Sequence, residues 1–356
     1  MSVFLMAGGG TGGHVIPALV VARELRRRGH EALFIGTRRG LEARLVPEAG
    51  FPIEWIEIGG LKGVGLARSL RTAVELPASV GTSWRLISKT RPAAIFSMGG
   101  YVAGPVMLAG WLRRVPMVLM EPNARPGFTN LKMASIVKKA LVSFPEAAAH
   151  FPAGVAEITG LPVRPEFFDL PPRQRTEKFS VLVTGGSRGS KTLNEATRAS
   201  WRLFRESGMP VRIVHQAGAQ SFQALRTEFA SADVDGQVVP FLQDMPAAFA
   251  QADLIVCRSG AGAVAELAAA GKPAVLVPFP FASDDHQLRN AQALERAGAA
   301  RLVRDVEMSG ERLFDEVRRL SEDAGAMERM AAAVRQFAKP DAGLRAAEIL
   351  EQFSVT

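Results

Sequence analysis

Short apolar runs alternate with helix-like segments along the whole chain. A short apolar run bounded by turn residues is typical of a strand that is buried on both faces of a sheet. When helices separate such strands, the expected arrangement is a parallel sheet with helices on both faces. The pattern predicts strands at residues 3–7, 32–35, 93–97, 117–120, 139–142, 180–184, 211–216, 237–240, 254–256 and 274–277.

The length of 356 residues exceeds what one hydrophobic core usually supports, so it favours two domains. Four prolines crowd the segment LPVRPEFFDLPP at residues 161–172, as is typical of a linker. We predict an α/β protein of two Rossmann-like, doubly wound parallel-sheet domains, residues 1–160 and 161–340, with a C-terminal helix at 341–356 that joins the first. Ligands of open α/β sheets bind beyond the carboxyl ends of the strands, so the active site is expected in an interdomain cleft.

Composition limits the class of protein. With 47% hydrophobic and 22% charged residues the chain is globular, and its single cysteine excludes a disulfide framework or a multi-thiolate metal site. This cysteine usage indicates a reducing, cytosolic compartment. The start MSVFLMAGGG is typical of a first strand and not of a signal peptide. Residues 92–112 carry no charge over 21 positions, but two prolines and four glycines interrupt them. A buried strand, a turn and a helix are therefore predicted there instead of a membrane span.

Positive charge is concentrated in the first half of the chain. Residues 1–160 hold 19 Lys and Arg against 10 Glu and no Asp, a net charge of +9, whereas the remainder holds 24 against 25, a net charge of −1. Such a basic domain suits nucleic acid, an anionic membrane or an acidic substrate, and a solvated basic surface is the simplest alternative. No nucleic-acid motif is recognisable, and residues 66–87 mix apolar and arginine residues as an interfacial helix does. An anionic membrane surface is therefore the favoured partner, and nucleic acid is not expected.

Two glycine-rich turns follow predicted strands about half a chain apart. AGGGTGGHVIP at residues 7–17 and GGSRGS at 185–190 each lead into a helix, whose first amides attract anionic oxygens such as phosphate. Neither turn has the spacing of the dinucleotide or Walker motifs, and each alone is equally consistent with a tight structural turn. A third segment, CRSGAGAVAE at 257–266, opens an apolar helix that carries Glu266, which alone would be interpreted as a solvent-facing side chain.

In combination these motifs resemble those of the bacterial cell-wall N-acetylglucosaminyltransferases, a GT-B glycosyltransferase family. The resemblance covers essentially the whole chain and rests on GGTGGHVIP (9–17), SMGGYVAGP (97–105), GLPVR (160–164), GGSRGS (185–190) and CRSGAGAVAE (257–266). It implies an inverting transfer of GlcNAc from UDP-GlcNAc to the 4-hydroxyl of undecaprenyl-pyrophosphoryl-MurNAc-pentapeptide, which converts lipid I to lipid II in peptidoglycan synthesis. It also implies a peripheral enzyme on the cytoplasmic face of the bacterial inner membrane, with its basic amino-terminal domain on the anionic surface.

The resemblance also assigns roles to individual residues. His14 is the favoured catalytic base, since it follows the first glycine turn of the acceptor domain, and Glu121 is the other candidate. Glu266 would accept hydrogen bonds from both ribose hydroxyls, and Gln287 would meet the hydroxyls of GlcNAc. The other implied substrate-binding residues are Thr11, Gly12 and Gly13 in the first turn, Asn123 on the donor side, Arg164 and Ser187 at the diphosphate, Leu242 at uracil, and Ala261, Gly262, Ala263, Val264 and Ala265 at the nucleoside.

One segment departs from the family pattern. Where the family often has H-E-Q-N, the chain reads MEPN at residues 120–123, so the contacts of the missing His and Gln are in question. Asn123 can keep its role, and Glu121 either acts as the base or orients the turn. Pro122 removes a backbone donor.

No cofactor is predicted to be required, and stimulation by a divalent cation is left open. Asp233-Val234-Asp235 matches the D-x-D string of metal-dependent glycosyltransferases, but it is predicted to be only a polar turn between a helix and a strand. Two other enzymes share the two-domain plan, another GT-B lipid glycosyltransferase and a UDP-GlcNAc 2-epimerase. The alternative of another class is a non-catalytic subunit that binds a sugar nucleotide and the membrane.

Overall fold

The computed structural model describes residues 1–59, 66–171, 173 and 177–354, leaving out the side chains of residues 66–74. The chain forms two compact units: unit 1 comprises Met1–Arg164 and Lys339–Thr356, and unit 2 comprises Pro165–Ala338. The boundary lies after Arg164 and not after residue 160, so the segment GLPVR at 160–164 belongs entirely to unit 1. The predicted interdomain cleft stays a prediction.

Unit 1 is built on one parallel sheet of seven strands among its described residues. Its strands are β1 (Val3–Gly8), β2 (Glu31–Gly36), β3 (Ile53–Trp55), β4 (Ala94–Gly99), β5 (Met117–Glu121), β6 (Lys139–Val142) and β7 (Ala156–Ile158). Its helices are α1 (Gly12–Arg27), α2 (Glu42–Glu48), α3 (Leu66–Thr90), α4 (Gly100–Leu112), α5 (Phe128–Met133) and α6 (Pro145–Ala148). The sheet order is β3-β2-β1-β4-β5-β6-β7, so the strand order reverses between β1 and β4. Ligands of doubly wound sheets bind at this reversal, beyond the carboxyl ends of the strands.

Unit 2 repeats this plan with a parallel sheet of six strands. Its strands are β8 (Phe179–Thr184), β9 (Val211–Gln216), β10 (Asp235–Val239), β11 (Leu254–Cys257), β12 (Ala274–Leu276) and β13 (Arg301–Leu302). Its helices are α7 (Lys191–Ser207), α8 (Ala219–Phe229), α9 (Met245–Gln251), α10 (Ala261–Ala270), α11 (His286–Arg296), α12 (Gly310–Glu322) and α13 (Ala324–Arg335). The order β10-β9-β8-β11-β12-β13 places the reversal between β8 and β11.

The predicted α/β class with parallel sheets is confirmed in both units. Each predicted strand is present within two residues of its predicted bounds, and all of them except β10 are buried along most of their length. Three strands were missed: β3, β7 and β13 each lie at an edge of a sheet and span only two or three residues. Their side chains are mostly half-buried, so they lack the continuous apolar run that reveals an inner strand.

The apolar segment at 92–112 folds as predicted into a strand, β4, and a helix, α4. Val102, Ala103 and Val106 of α4 are fully buried, since the helix packs on the sheet and along α3. Across the described ranges of the chain, no helix combines the length and the apolar character needed to cross a lipid bilayer.

The last helix, α14 (Ala342–Glu351), belongs to unit 1 and packs along α1. Its Glu351 carboxylate pairs with Arg28 Nη1 at 2.5 Å and with His30 Nε2 at 3.0 Å. Arg345 donates from Nε to the Glu157 carboxylate at 2.6 Å, and this bond links α14 to β7, an edge strand of the sheet. The C-terminal segment is thus an integral part of unit 1.

Candidate functional site

The first glycine turn connects β1 to α1 at the reversal of the unit 1 sheet. Thr11 precedes the helix, and His14 lies in its first turn with its ring half-buried. His14 Nδ1 lies 3.1 Å from the carbonyl oxygen of Gly9 and 3.5 Å from Thr11 Oγ1. Because a carbonyl oxygen can only accept, Nδ1 carries the hydrogen of the neutral ring and Nε2 carries the lone pair. This tautomer is the one that a base acting through Nε2 requires.

The turn between β4 and α4 lies directly beside this histidine. A β-carbon at Gly100 would lie 3.4 Å from His14 Cε1, so the glycine backbone packs against the imidazole. Gly100 also has a φ of +77°, which favours glycine independently of the space. Thr129 Oγ1, at the start of α5, donates to the carbonyl oxygen of Gly100 at 3.1 Å. This bond links the segment after β5 to the turn between β4 and α4.

Glu121 ends β5 and is 1% exposed. Its Oε1 accepts from the backbone nitrogen of Asn123 at 2.9 Å and from Asn123 Nδ2 at 3.2 Å. Its Oε2 accepts from Asn130 Nδ2 at 2.8 Å and from the backbone nitrogen of Gly127 at 2.9 Å. Burial raises the pKa of the carboxyl, and these hydrogen bonds act against that rise. The carboxylate therefore organises the whole 121–130 turn, while Met120 before it is fully buried in the core.

In unit 2, the second glycine turn follows β8 and leads into α7. Ser190 caps this helix by accepting from the backbone nitrogen of Leu193 at 3.3 Å. Ser187, which is predicted to bind the diphosphate, is exposed at the tip of the turn. Gln216, 1% exposed at the end of β9, donates from Nε2 to the Gly186 carbonyl at 2.9 Å and accepts at Oε1 from the Leu242 nitrogen at 2.8 Å. One buried amide thus fixes the turns after β8 and β10 relative to each other.

The helix α10 follows β11 on the other side of the reversal. It begins at Ala261 after Gly260, and no side chain caps its first turn, so its first amides are directed outward from the helix. Residues 261–263, 265 and 266 are half-exposed, whereas Val264 is buried. The Glu266 side chain therefore lies on the accessible face of α10, together with the amides at the helix start.

Gln287, in the first turn of α11, lies close to the loop after β11. Its Oε1 accepts from the backbone nitrogen of Phe279 at 3.0 Å, and its carbonyl oxygen accepts from Ser259 Oγ at 2.8 Å. With Oε1 held in this way, Nε2 is the side-chain group of Gln287 that can donate to a sugar hydroxyl.

Arg258 is a residue that the sequence did not single out. It donates from Nη2 to Ser190 Oγ at 2.7 Å and from Nη1 to the carbonyl oxygen of Val277 at 3.0 Å, and it pairs with the Asp305 carboxylate. The guanidinium therefore connects the loops after β8, β11 and β12 into one surface. Its sequence signal was only its position in CRSGAG, immediately after a buried strand.

The predicted residues fall into one cluster in each unit. Thr11, Gly12, Gly13, His14, Glu121 and Asn123 lie at the carboxyl ends of β1 and β5 in unit 1. The unit 2 cluster lies likewise beyond the carboxyl ends of its strands and comprises Ser187, Leu242, residues 261–266 and Gln287. Arg164 is the last residue of unit 1, although it was expected in the second domain.

The D-x-D string lies between α8 and the start of β10, at the amino ends of the parallel strands, whereas the unit 2 cluster lies at their carboxyl ends. Asp233 has a left-handed φ of 53°, and Asp235 is the first residue of β10. The Asp235 carboxylate pairs with Lys178 Nζ at 3.1 Å and with Arg212 Nη1 at 3.5 Å. The carboxylate that a metal ion would need as a ligand is therefore already paired with two cationic side chains. Within the described ranges, no group of three or more His, Cys, Asp or Glu side chains could hold a metal ion.

Comparison with known families gives two matches that together span most of the chain. Residues 4–142 match the glycosyltransferase family 28 N-terminal domain, and residues 180–345 match the glycosyltransferase family 28 C-terminal domain.

Individual proteins match the chain from end to end. A UDP-N-acetylglucosamine–N-acetylmuramyl-(pentapeptide) pyrophosphoryl-undecaprenol N-acetylglucosamine transferase of Solibacter usitatus is 62% identical over 98% of this chain and 95% of its own length. The transferase of the same name from Nitrosococcus oceani is 44% identical over 97% of both chains. The crystal structure of Acinetobacter baumannii MurG is 33% identical and superposes with a TM-score of 0.80 over 99% of this chain and all of its own.

Proposed function

The chain belongs to glycosyltransferase family 28, and we propose that it transfers GlcNAc from UDP-GlcNAc to the 4-hydroxyl of undecaprenyl-pyrophosphoryl-MurNAc-pentapeptide. The product is lipid II, and the reaction belongs to peptidoglycan synthesis. The observation that carries this proposal is the end-to-end identity with transferases named for that donor and acceptor. The two clusters at the carboxyl ends of the parallel strands suit it, since one holds a candidate base and the other a candidate nucleotide site.

The proposal is tested by incubating the protein with labelled UDP-GlcNAc and a short-chain lipid-linked MurNAc-pentapeptide. We expect label in a lipid-linked disaccharide, with one UDP released for each GlcNAc transferred. Conversion of UDP-GlcNAc without the acceptor would instead indicate an epimerase. Binding of UDP-GlcNAc without any turnover would indicate a non-catalytic subunit. Transfer to a glucolipid acceptor but not to the MurNAc lipid would indicate a different lipid glycosyltransferase.

We propose that His14 is the catalytic base. The Gly9 carbonyl fixes the hydrogen on Nδ1, so Nε2 can take the proton of the acceptor hydroxyl as that oxygen attacks the anomeric carbon. The attack from the face opposite UDP inverts the configuration from α to β. Glu121 is better suited to orient the turn after β5 than to act as the base, because each of its two oxygens already accepts two hydrogen bonds inside the protein.

The donor is proposed to bind unit 2 along α10 and the second glycine turn. The first amides of α10 suit the diphosphate, as does the exposed turn with Ser187, and Arg164 at the unit boundary would add positive charge. Glu266 would accept from the ribose hydroxyls, and Gln287 Nε2 would donate to GlcNAc. Since Gln216 already occupies the Leu242 nitrogen, uracil is expected to meet the Leu242 carbonyl.

We propose that unit 1 attaches the enzyme peripherally to the anionic cytoplasmic face of the inner membrane. The part of the 66–87 stretch whose side chains are described includes Trp84, which is 37% exposed, and Trp111 at the end of the adjacent α4 is 50% exposed. Arg113 lies over the Trp84 ring at 5.0 Å from its centroid. An exposed tryptophan beside arginine suits the interface between lipid headgroups and acyl chains. Residues 66–74 of the stretch lie outside the described side chains.

We propose that turnover requires no metal ion and that no nucleic acid is bound. The support for the first point is the pairing of Asp235 with Lys178 and Arg212, which leaves the D-x-D string as a structural turn. The leaving diphosphate would then be stabilised by helix amides and arginine, as electrostatic catalysis allows without a metal ion.

A further inference from the structure

A buried carboxylate lies directly behind the first glycine turn. Glu42, the first residue of α2, is 0% exposed. Its Oε2 accepts from the backbone nitrogen of Gly10 at 2.7 Å, and its Oε1 accepts from the nitrogen of Thr37 at 3.0 Å and from Thr37 Oγ1 at 2.9 Å. A buried carboxylate is retained only where donors of this kind replace water.

Three glycines make room for this side chain. A β-carbon at Gly9, Gly36 or Gly40 would overlap the carboxyl or methylene atoms of Glu42. The three come from the β1 turn, the end of β2 and the loop before α2. The space is therefore built around Glu42 by separate segments, as at a position with a defined role.

The hydrogen bond from Gly10 has a particular consequence, because the Gly10 nitrogen and the Gly9 carbonyl belong to the same peptide group. The carbonyl and the N–H of a trans peptide point in opposite directions. Glu42 accepts from the N–H side, and His14 Nδ1 donates to the carbonyl side at 3.1 Å. One rigid peptide plane thus joins the carboxylate to the imidazole.

We propose that Glu42 is a positioning residue for His14 and acts through the Gly9–Gly10 peptide. The negative charge polarises the peptide, so the Gly9 carbonyl becomes a stronger acceptor for His14 Nδ1–H. Glu42 also fixes the direction of that carbonyl, and with it the ring orientation and the tautomer that leaves the lone pair on Nε2. Its importance for turnover rests on the proposed role of His14 as base.

Tyr101 holds the same peptide from a third direction. A β-carbon at Gly10 would lie 2.9 Å from Tyr101 Cε1, so the phenol ring packs against the turn. The Tyr101 hydroxyl lies 3.4 Å from Thr37 Oγ1, which already donates to Glu42 and therefore accepts from Tyr101. The peptide is thus restrained by packing as well as by hydrogen bonds.

The test compares three variants with the full-length wild-type protein. Glu42→Gln is nearly isosteric but cannot accept all three hydrogen bonds. Gly40→Ala keeps the charge and displaces the carboxylate, since its new methyl group would overlap Oε2. Glu48→Gln is the matched control, because Glu48 lies on the same helix with its side chain 61% exposed. Nitrogen-15 NMR of the His14 ring gives the tautomer, and steady-state kinetics give kcat and the KM for UDP-GlcNAc.

We expect hydrogen on Nδ1 of His14 in the wild type and in Glu48→Gln, and a mixture of tautomers in both other variants. The kcat of Glu42→Gln should fall about tenfold or more, with the KM for UDP-GlcNAc changed less than about twofold, since only base catalysis is weakened. An Nδ1–H signal that is unchanged in the folded Gly40→Ala or Glu42→Gln protein would overturn the proposal. So would hydrogen on Nε2 in the wild type, a measurement that needs no variant to fold.

Adding His14→Ala distinguishes failure of the positioning by Glu42 from failure of the proposed base. If His14→Ala keeps normal turnover while the tautomer still responds to Glu42, the positioning holds and the assignment of the base is wrong. If no variant changes the tautomer although His14→Ala abolishes turnover, the base assignment holds and the positioning by Glu42 is wrong.

Discussion

His14 illustrates how a single hydrogen bond decides the chemistry of a side chain. Its Nδ1 faces a carbonyl oxygen that can only accept, so the neutral ring is committed to one tautomer. Glu121 shows the opposite case, since its four hydrogen bonds are all accepted by a carboxylate enclosed in the protein. The sequence favours His14 over Glu121 as the base, and the hydrogen bonds of the two side chains support the same preference.

The first prediction concerns this difference. His14→Ala should lower kcat by about 10²-fold or more with little change in UDP-GlcNAc affinity, because a base acts in the transition state. His150→Ala is the control, since His150 is exposed in the same unit. Steady-state transfer assays and donor titrations measure both effects. Near-normal turnover in His14→Ala, together with loss of turnover in a folded Glu121→Gln protein, would move the base to Glu121.

The second prediction distinguishes the donor site from the D-x-D turn. Glu266→Ala should weaken UDP and UDP-GlcNAc alike by about 10- to 100-fold, which corresponds to hydrogen bonds made to a charged group. Asp235→Ala should leave donor affinity unchanged, because its carboxylate pairs with Lys178 and Arg212. Calorimetric titration measures both affinities. Loss of donor binding in Asp235→Ala, or complete inactivity in a chelator, would contradict the proposal that no metal is needed.

At the scale of elements, β9 carries a buried histidine that links two elements behind the second glycine turn. His215 is 1% exposed, and its Nε2 donates to Asn194 Oδ1 at 2.9 Å, while Asn194 donates from Nδ2 to the Ala217 carbonyl. These bonds link α7 to the end of β9 behind the second glycine turn. Burial lowers the pKa of His215 to about 4, because the charged ring would lose its hydration.

The third prediction is a loss of stability in mild acid. Below about pH 6.5 the unfolded chain binds a proton at His215 that the folded protein does not, so stability falls as the pH decreases and levels off near pH 4. The shift corresponds to about 3 kcal/mol over that interval. Urea unfolding of the wild type and His215→Gln between pH 7 and pH 4 measures it. The difference between the two proteins should change by about this amount, and a difference independent of pH would show that His215 does not titrate in this way.

The strands and their turns could be predicted because their signals are local. A buried strand requires an apolar run, and the turn after it requires small residues, so β1, β8 and the glycine turns are visible in the sequence. The residues that fix those turns are not visible. Glu42 and Gln216 lie 32 and 30 residues from Gly10 and Gly186, and each pair meets only because neighbouring strands end together. Predicting such contacts requires the strand order, which the sequence pattern does not contain.

At the scale of the whole chain, the unit that carries the excess positive charge also exposes large apolar side chains. The net charge of +9 lies in residues 1–160, which also contain the exposed Trp84, Trp111, Leu112 and Phe128. Lys132 Nζ lies 5.6 Å from the centre of the Phe128 ring, which resembles the pairing of Arg113 with Trp84. Basic residues near an anionic surface contribute about 1 kcal/mol each, and aromatic rings add affinity by entering the interface.

The fourth prediction is that these side chains carry membrane attachment. Trp84→Ala and Trp111→Ala should each weaken binding to phosphatidylglycerol vesicles roughly tenfold, which corresponds to a partly buried aromatic side chain. Wild-type binding should also decrease as salt is raised, since the basic residues act within a Debye length of the surface. Phe281→Ala is the control, because Phe281 is 83% exposed but lies in unit 2. Vesicle co-sedimentation measures all three effects. Equal binding to neutral and anionic vesicles, or a larger loss in Phe281→Ala than in the tryptophan variants, would assign the attachment to another surface.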